Sequence, residues 1–127
     1  GDIQQTEAEL SRVSDLMAAV VQYAKTRPAF DGYKAAKYSR KYLAEHEAEL
    51  ADYRAAKATM AELLGGEKLP KMDVLKEKRR QLAARKKALY LEYRKAQQDM
   101  RELVAVKGSV DHLRGLTDNQ RNKEQAR

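Results

Sequence analysis

Apolar residues recur at heptad spacing along most of this chain. Ile3, Leu10, Met17 and Ala24 stand seven apart, and Thr6, Val13 and Val20 interleave three positions later. That is the seam of a helix packing as a coiled coil, with Thr6 as a weak position. It predicts a first helix over residues 3–26, stopping before Pro28 because the residue preceding a proline avoids the α region. A joint follows over residues 28–38, where Asp31 caps a single turn ending at Lys37. Ser39 is the predicted N-cap of a second helix, residues 39–64, closed by the glycine signal Gly65-Gly66. Its seam is mixed: Leu43, His46, Leu50, Tyr53, Ala56 or Lys57, Met60 and Leu64.

After a tight connection over residues 67–69, Pro70 suits the first turn of a third helix, where its missing N–H costs nothing. Leu75, Leu82, Leu89, Ala96, Leu103 and Val110 fall at intervals of seven, and Tyr93, Met100, Val106 and Leu113 fill intermediate positions. The pattern predicts the longest helix, about residues 71–114, with Gly115 as C-cap and a possible break at Gly108, where Ser109 would cap a short final helix. The polar residues 116–127 read as a disordered tail or frayed helix. Short connections make neighbouring helices antiparallel. The expected fold is all-α: an elongated antiparallel helical hairpin or three-helix bundle with coiled-coil character, occupying residues 1–115. The echo of Tyr33-Lys34-Ala35-Ala36-Lys37 in Tyr53-Arg54-Ala55-Ala56-Lys57 has a spacing of 20, not a whole number of heptads, and reads as coincidence.

Composition agrees with long helices rather than a globular core. Of 127 residues, 35% are charged and 6% aromatic, with no Trp and one Phe. There is no Cys, hence no disulfide framework and no thiolate metal site. No apolar run is long enough to span a membrane. The opening Gly1-Asp2-Ile3 lacks both an initiator Met and a leader pattern, so the chain is expected to be a piece of something longer.

Charge is distributed unevenly. Residues 71–101 hold eleven basic and four acidic side chains, a net +7 that equals the formal charge of the whole chain. Residues 1–70 sum to −1 and residues 102–127 to +1. A basic helix of this kind points to a polyanion, most commonly nucleic acid. The candidate phosphate contacts are Lys76, Lys78, Arg79, Arg80, Arg85, Lys86, Lys87, Arg94 and Lys95. Few carboxylates sit four residues from them, so the usual neutralising lattice is thin. The competing reading is a solvated face, turned toward the acidic run Glu45, Glu47, Glu49 and Asp52.

The joint offers a second constellation. Lys25, Arg27, Lys34, Lys37, Arg40 and Lys41 face one acid, Asp31, with Phe30, Tyr33, Tyr38 and Tyr42 interleaved. Exposed aromatics among cations make a stacking platform for single-stranded nucleic acid. The plainer reading is that these rings plug the end of the bundle where the chain reverses. His46 and His112 lack the converging partners a metal site needs, and His46-Glu47 does not open an HExxH pattern. No phosphate loop or nucleophile elbow is present, and Tyr90 and Tyr93 read as seam residues.

The runs over residues 21–27, 33–39 and 41–49, with Lys68-Leu69-Pro70, Ala88-Leu89-Tyr90, Glu92-Tyr93-Arg94 and Val110-Asp111-His112-Leu113, resemble the C-terminal helical region of bacterial relaxases, the mobilisation nucleases of plasmids and conjugative transposons. The resemblance covers about residues 10–115 and is most specific over residues 23–49. It departs at Lys37, where the family pattern would carry a Gly before Tyr38. A full-length relaxase would nick one DNA strand at a transfer origin with a catalytic Tyr and a His-held metal. Both belong to an N-terminal nuclease domain that nothing in this chain matches. The expectation is therefore a cytoplasmic bacterial, non-catalytic accessory region without a cofactor or small-molecule substrate. It would assist mobilisation through non-specific DNA contacts. The alternatives are a protein-interaction or oligomerisation module, pairing with itself or with transfer-apparatus proteins, and a passive spacer.

Overall fold

A computed structural model describes the backbone of residues 1–125 and the side chains of residues 1–117. The chain is all-α, with α1 (Asp2–Ala35), α2 (Arg40–Glu45), α3 (Glu47–Leu64) and α4 (Met72–Gln125). It divides into two compact units, residues 1–86 and residues 87–127.

In the first unit α1 and α3 pack antiparallel. The Arg12 guanidinium, near the start of α1, donates to the Leu63 carbonyl oxygen at the end of α3 (Nη2 2.6 Å, Nε 3.1 Å). At the other end, the Tyr42 hydroxyl donates to the Ala29 carbonyl oxygen (2.7 Å). Arg12 thereby satisfies a carbonyl in the last turn of α3, which has no helical partner, with a cation placed at the negative end of the helix. Between these two pins, Val13, Leu16, Met17 and Leu75 form a buried cluster, backed by half-buried residues that include Val20, Met60, Leu63 and Leu82. The predicted seams hold at Thr6, Val13 and Met17 and at Leu50, Tyr53 and Ala56, all buried. Ala56 rather than Lys57 faces inward. In α1 the seam drifts off the heptad: Ala24 is exposed, while Leu16, Ala19, Thr26 and Ala29 are buried.

The first helix does not stop before Pro28; α1 runs through it to Ala35. A proline inside a helix removes one hydrogen bond and crowds the preceding turn, at about 3 kcal/mol. The offset comes from α3. The Tyr53 ring is 4% exposed and lies between Tyr23 (centroids 5.1 Å apart) and Phe30 (4.4 Å), residues on either side of Pro28. Burying a tyrosine of roughly 200 Å² is worth about 5 kcal/mol, and each stack adds about 0.5–1.5 kcal/mol. Tertiary packing thus exceeds the local penalty. The Thr26 hydroxyl donates to the Gln22 carbonyl oxygen (2.7 Å), so this buried polar side chain is satisfied.

The reversal falls at the end of the predicted joint, and no Asp31 cap forms because α1 runs through that residue. Lys37 (φ 56°) and Tyr38 (φ 58°) both adopt the left-handed conformation. Gly is the residue for which this conformation is free of steric cost, so both Lys37 and Tyr38 carry strain. The Ser39 cap forms as expected, accepting from the Tyr42 N–H (3.4 Å). The second helix is split in two at His46 (φ −122°, ψ 25°), whose ring stacks on Tyr42 at 4.0 Å between centroids. Gly65 caps α3 in the left-handed conformation (φ 56°), as the sequence signals.

α4 begins at Met72 and does not end at Arg114. Gly108 and Gly115 lie inside it, and neither takes a positive φ, so no cap forms at Gly115 and no break at Ser109. A glycine that stays right-handed costs a helix only about 1 kcal/mol and does not end it. Of the expected tail, Leu116 and Thr117 continue the helix, and the side chains of residues 118–127 lie outside the described residues. No helix among the described residues is long and apolar enough to cross a membrane.

Two stability outcomes follow. Tyr53→Ala is expected to cost about 3–5 kcal/mol in urea unfolding, as for other buried aromatics. Hydrogen exchange of residues 29–35 would rise in the same variant if the ring carries the helix past Pro28. Lys37→Gly is expected to gain about 1 kcal/mol, since the left-handed strain relieved exceeds the entropy that Gly adds to the unfolded chain. A loss in thermal unfolding would show that Lys37 is held by contacts worth more than its strain.

Candidate nucleic-acid interface

The placement of the basic residues starts from the core. Leu75 is 3% exposed and fixes the rotational phase of α4 in the first unit, with Met72 and Leu82 half-buried on the same side. At ~100° per residue, that phase distributes the cations into rows rather than onto one face. Lys76 and Arg80 form one flank, about 40° apart, and Lys78 and Arg85 the opposite flank, about 20° apart. Arg79 and Lys86 follow the core-facing row itself. Lys76, Lys78, Arg79, Arg80 and Arg85 are exposed, while Lys86, one turn beyond Leu82, is half-buried. The single basic face expected from composition is therefore two flanks bordering the packed row.

Arg80 differs from its neighbours. Its guanidinium grips Glu77 with two hydrogen bonds, Nη2 to Oε1 at 2.6 Å and Nε to Oε2 at 3.0 Å. Gln81 donates to the same carboxylate at 3.3 Å. The Arg80 bond holds the Glu77 carboxyl below the usual glutamate range and raises the Arg80 guanidinium in turn. Among the described residues, Arg80 is the one candidate cation of the nine held in an ion pair. The acidic run Glu45, Glu47, Glu49 and Asp52 is exposed and makes no ion pair with α4 among the described residues.

In the second unit, Lys87, Arg94 and Lys95 are exposed. Lys87 and Arg94 share a flank, about 20° apart, and Lys95 lies about 100° further round. Glu92 and Asp99, one heptad apart, occupy the side away from Arg94.

The aromatic joint forms in the first unit, but its rings face one another. Tyr33 stacks on Tyr42 (6.0 Å) and meets Tyr38 edge-on (5.2 Å). Arg27 lies over the Tyr23 ring (6.0 Å) and Lys34 over Phe30 (5.7 Å). The bundle-plug reading describes these contacts, and Tyr38, 59% exposed, is the ring most open to solvent. Gly32 is part of the same plug. A Cβ at this position would run into the Tyr42 ring, 2.9 Å from Cζ and closer still to the hydroxyl. Gly32 lies within the predicted joint of residues 28–38, and only the approach of Tyr42 from α2 reveals its role. His46 Nδ1 lies 3.1 Å from the Tyr42 carbonyl oxygen, and no group of three or more potential metal ligands occurs among the described residues.

No family model, curated protein or solved structure matches this chain.

Gly32 gives a test whose sign discriminates. In an unencumbered helix, Gly→Ala stabilises by about 1 kcal/mol. Here Gly32→Ala is expected to destabilise by roughly 1–3 kcal/mol, the range for overpacking. A raised melting temperature would show that Tyr42 does not pack over this position.

Proposed function

We propose that this chain is a non-catalytic accessory segment that holds DNA through its phosphates during strand mobilisation, with α4 supplying the contacts. The observation that carries the reading is the set of exposed α4 cations, of which Arg80 alone has a carboxylate partner among the described residues. Unpaired like charges on one helix repel, and a phosphate backbone relieves that repulsion while releasing counterions. Point charges on a helix exterior position a protein without reading bases, so the contacts are independent of sequence. The resemblance of residues 10–115 to the relaxase C-terminal region supplies the biological setting in this reading.

The rows identify which side chains to change. Lys76, Lys78, Arg79 and Arg85 are exposed and unpaired, whereas Arg80 is held by Glu77 and Lys86 is half-buried. Replacing those four with Glu is expected to reduce affinity for a fluorescent duplex at least ~100-fold at low salt, with helicity by circular dichroism unchanged. For the unaltered chain, log K should fall with log salt by about 0.9 per phosphate contacted on duplex and about 0.7 on single strands. Unchanged affinity in the fourfold variant, or no binding at low salt, would remove the reading.

A further inference from the structure

The second unit carries an apolar row with no use in phosphate contact. Tyr93, Met100, Leu103, Val106, Val110 and Leu113 follow one another at coiled-coil intervals, with Ala96 filling the remaining seam position. They are 51%, 59%, 63%, 61%, 42% and 62% exposed. Spacings of three and four persist throughout, with one consecutive pair of threes at residues 100, 103 and 106, a local overwinding that coiled coils accommodate. Helices in proteins draw most of their stability from packing an apolar face rather than from propensity, and this one contains Gly108, so a packed partner is what its seam is built for.

We infer that a second copy of this chain covers residues 93–113, parallel and in register, as a two-stranded coiled coil. Three observations select this occupant. The first is charge. Glu102 immediately precedes the seam residue Leu103, and Lys107 immediately follows Val106. In a parallel pair, the residue flanking one seam on this side meets the residue five positions later on the partner. Glu102 therefore faces the partner copy's Lys107, twice by symmetry. An antiparallel pair would instead bring like flanks together and set Glu102 beside its own copy. The second is residue type in the last heptad of the seam, where Val110 followed by Leu113 is the β-branched-then-Leu pairing that favours two strands, while Leu103 and Val106 stand in the reverse order. The third is area: six large side chains at on the order of 100 Å² each would bury roughly 1,200 Å² across both copies, the lower edge of a stable interface. The seam and the proposed phosphate contacts are different side chains, so this inference stands whether or not DNA binds.

Sedimentation equilibrium of the full chain, at salt high enough to strip nucleic acid, tests it. A mass of twice 14.5 kDa at micromolar to hundred-micromolar concentration is expected. A 14.5 kDa monomer throughout would overturn the inference and assign the seam to a different protein. Glu102→Lys should weaken the dimer several-fold, and adding Lys107→Glu should restore it; failure to restore would rule out the parallel register. The chain has no cysteine, so Val110→Cys provides a clean geometric check. In register, the two thiols meet across the seam, and mild oxidation should yield a disulfide-linked dimer. A variant that dimerises in solution yet resists cross-linking would overturn the parallel arrangement.

Discussion

The first unit depends on one buried ring. Tyr53 lies between Tyr23 and Phe30 and so bridges α1 across the proline that would otherwise end it. Everything downstream follows from α1 continuing to Ala35. The reversal is confined to Lys37 and Tyr38, α2 starts where Tyr42 can reach Ala29, and the joint fills with stacked rings. A chain this poor in aromatics places most of them at this end, because two helices of mainly small and charged residues need bulk where no third helix covers them.

The helical class, the number of long segments and two of the caps were legible in the sequence. Ser39 and Gly65 are local signals, determined by side-chain chemistry and backbone sterics within a few residues, and both appear where expected. What was not legible depended on contacts between segments. The Pro28 rule is local and correct as a propensity, but a ring on another helix outweighs it. The need for Gly at position 32 is set by the Tyr42 ring approaching from another helix. Gly115 looked like a cap, yet nothing on α4 requires a left-handed residue there. Lys37 carries no local signal for the left-handed conformation that it adopts.

The candidate site divides in the same way. Composition reveals the basic excess of α4 at once, because charge needs no fold to be counted. The arrangement of that charge depends on rotational phase, which Leu75 and Leu82 fix by entering the core. Phase turns one supposed face into two flanks, half-buries Lys86, and leaves Lys78 and Arg85 aligned. Over residues 93–113 the same helix alternates apolar and charged rows. It thus carries rows of two kinds, one electrostatic and one steric, on different side chains.

The two polar pins of the hairpin share a property. Arg12 and Tyr42 each reach across to a main-chain carbonyl, at Leu63 and Ala29. Every residue type carries that carbonyl, so the contact constrains only the donor. The guanidinium fork at position 12 cannot be replaced by a lysine's single point charge without losing one of its two bonds. Position 63 can drift among residues of similar bulk and still accept both. Substitutions at the two ends of each pin would therefore accumulate independently, and pairwise covariation would report the stacked rings of this fold while missing the hydrogen bonds that set its register.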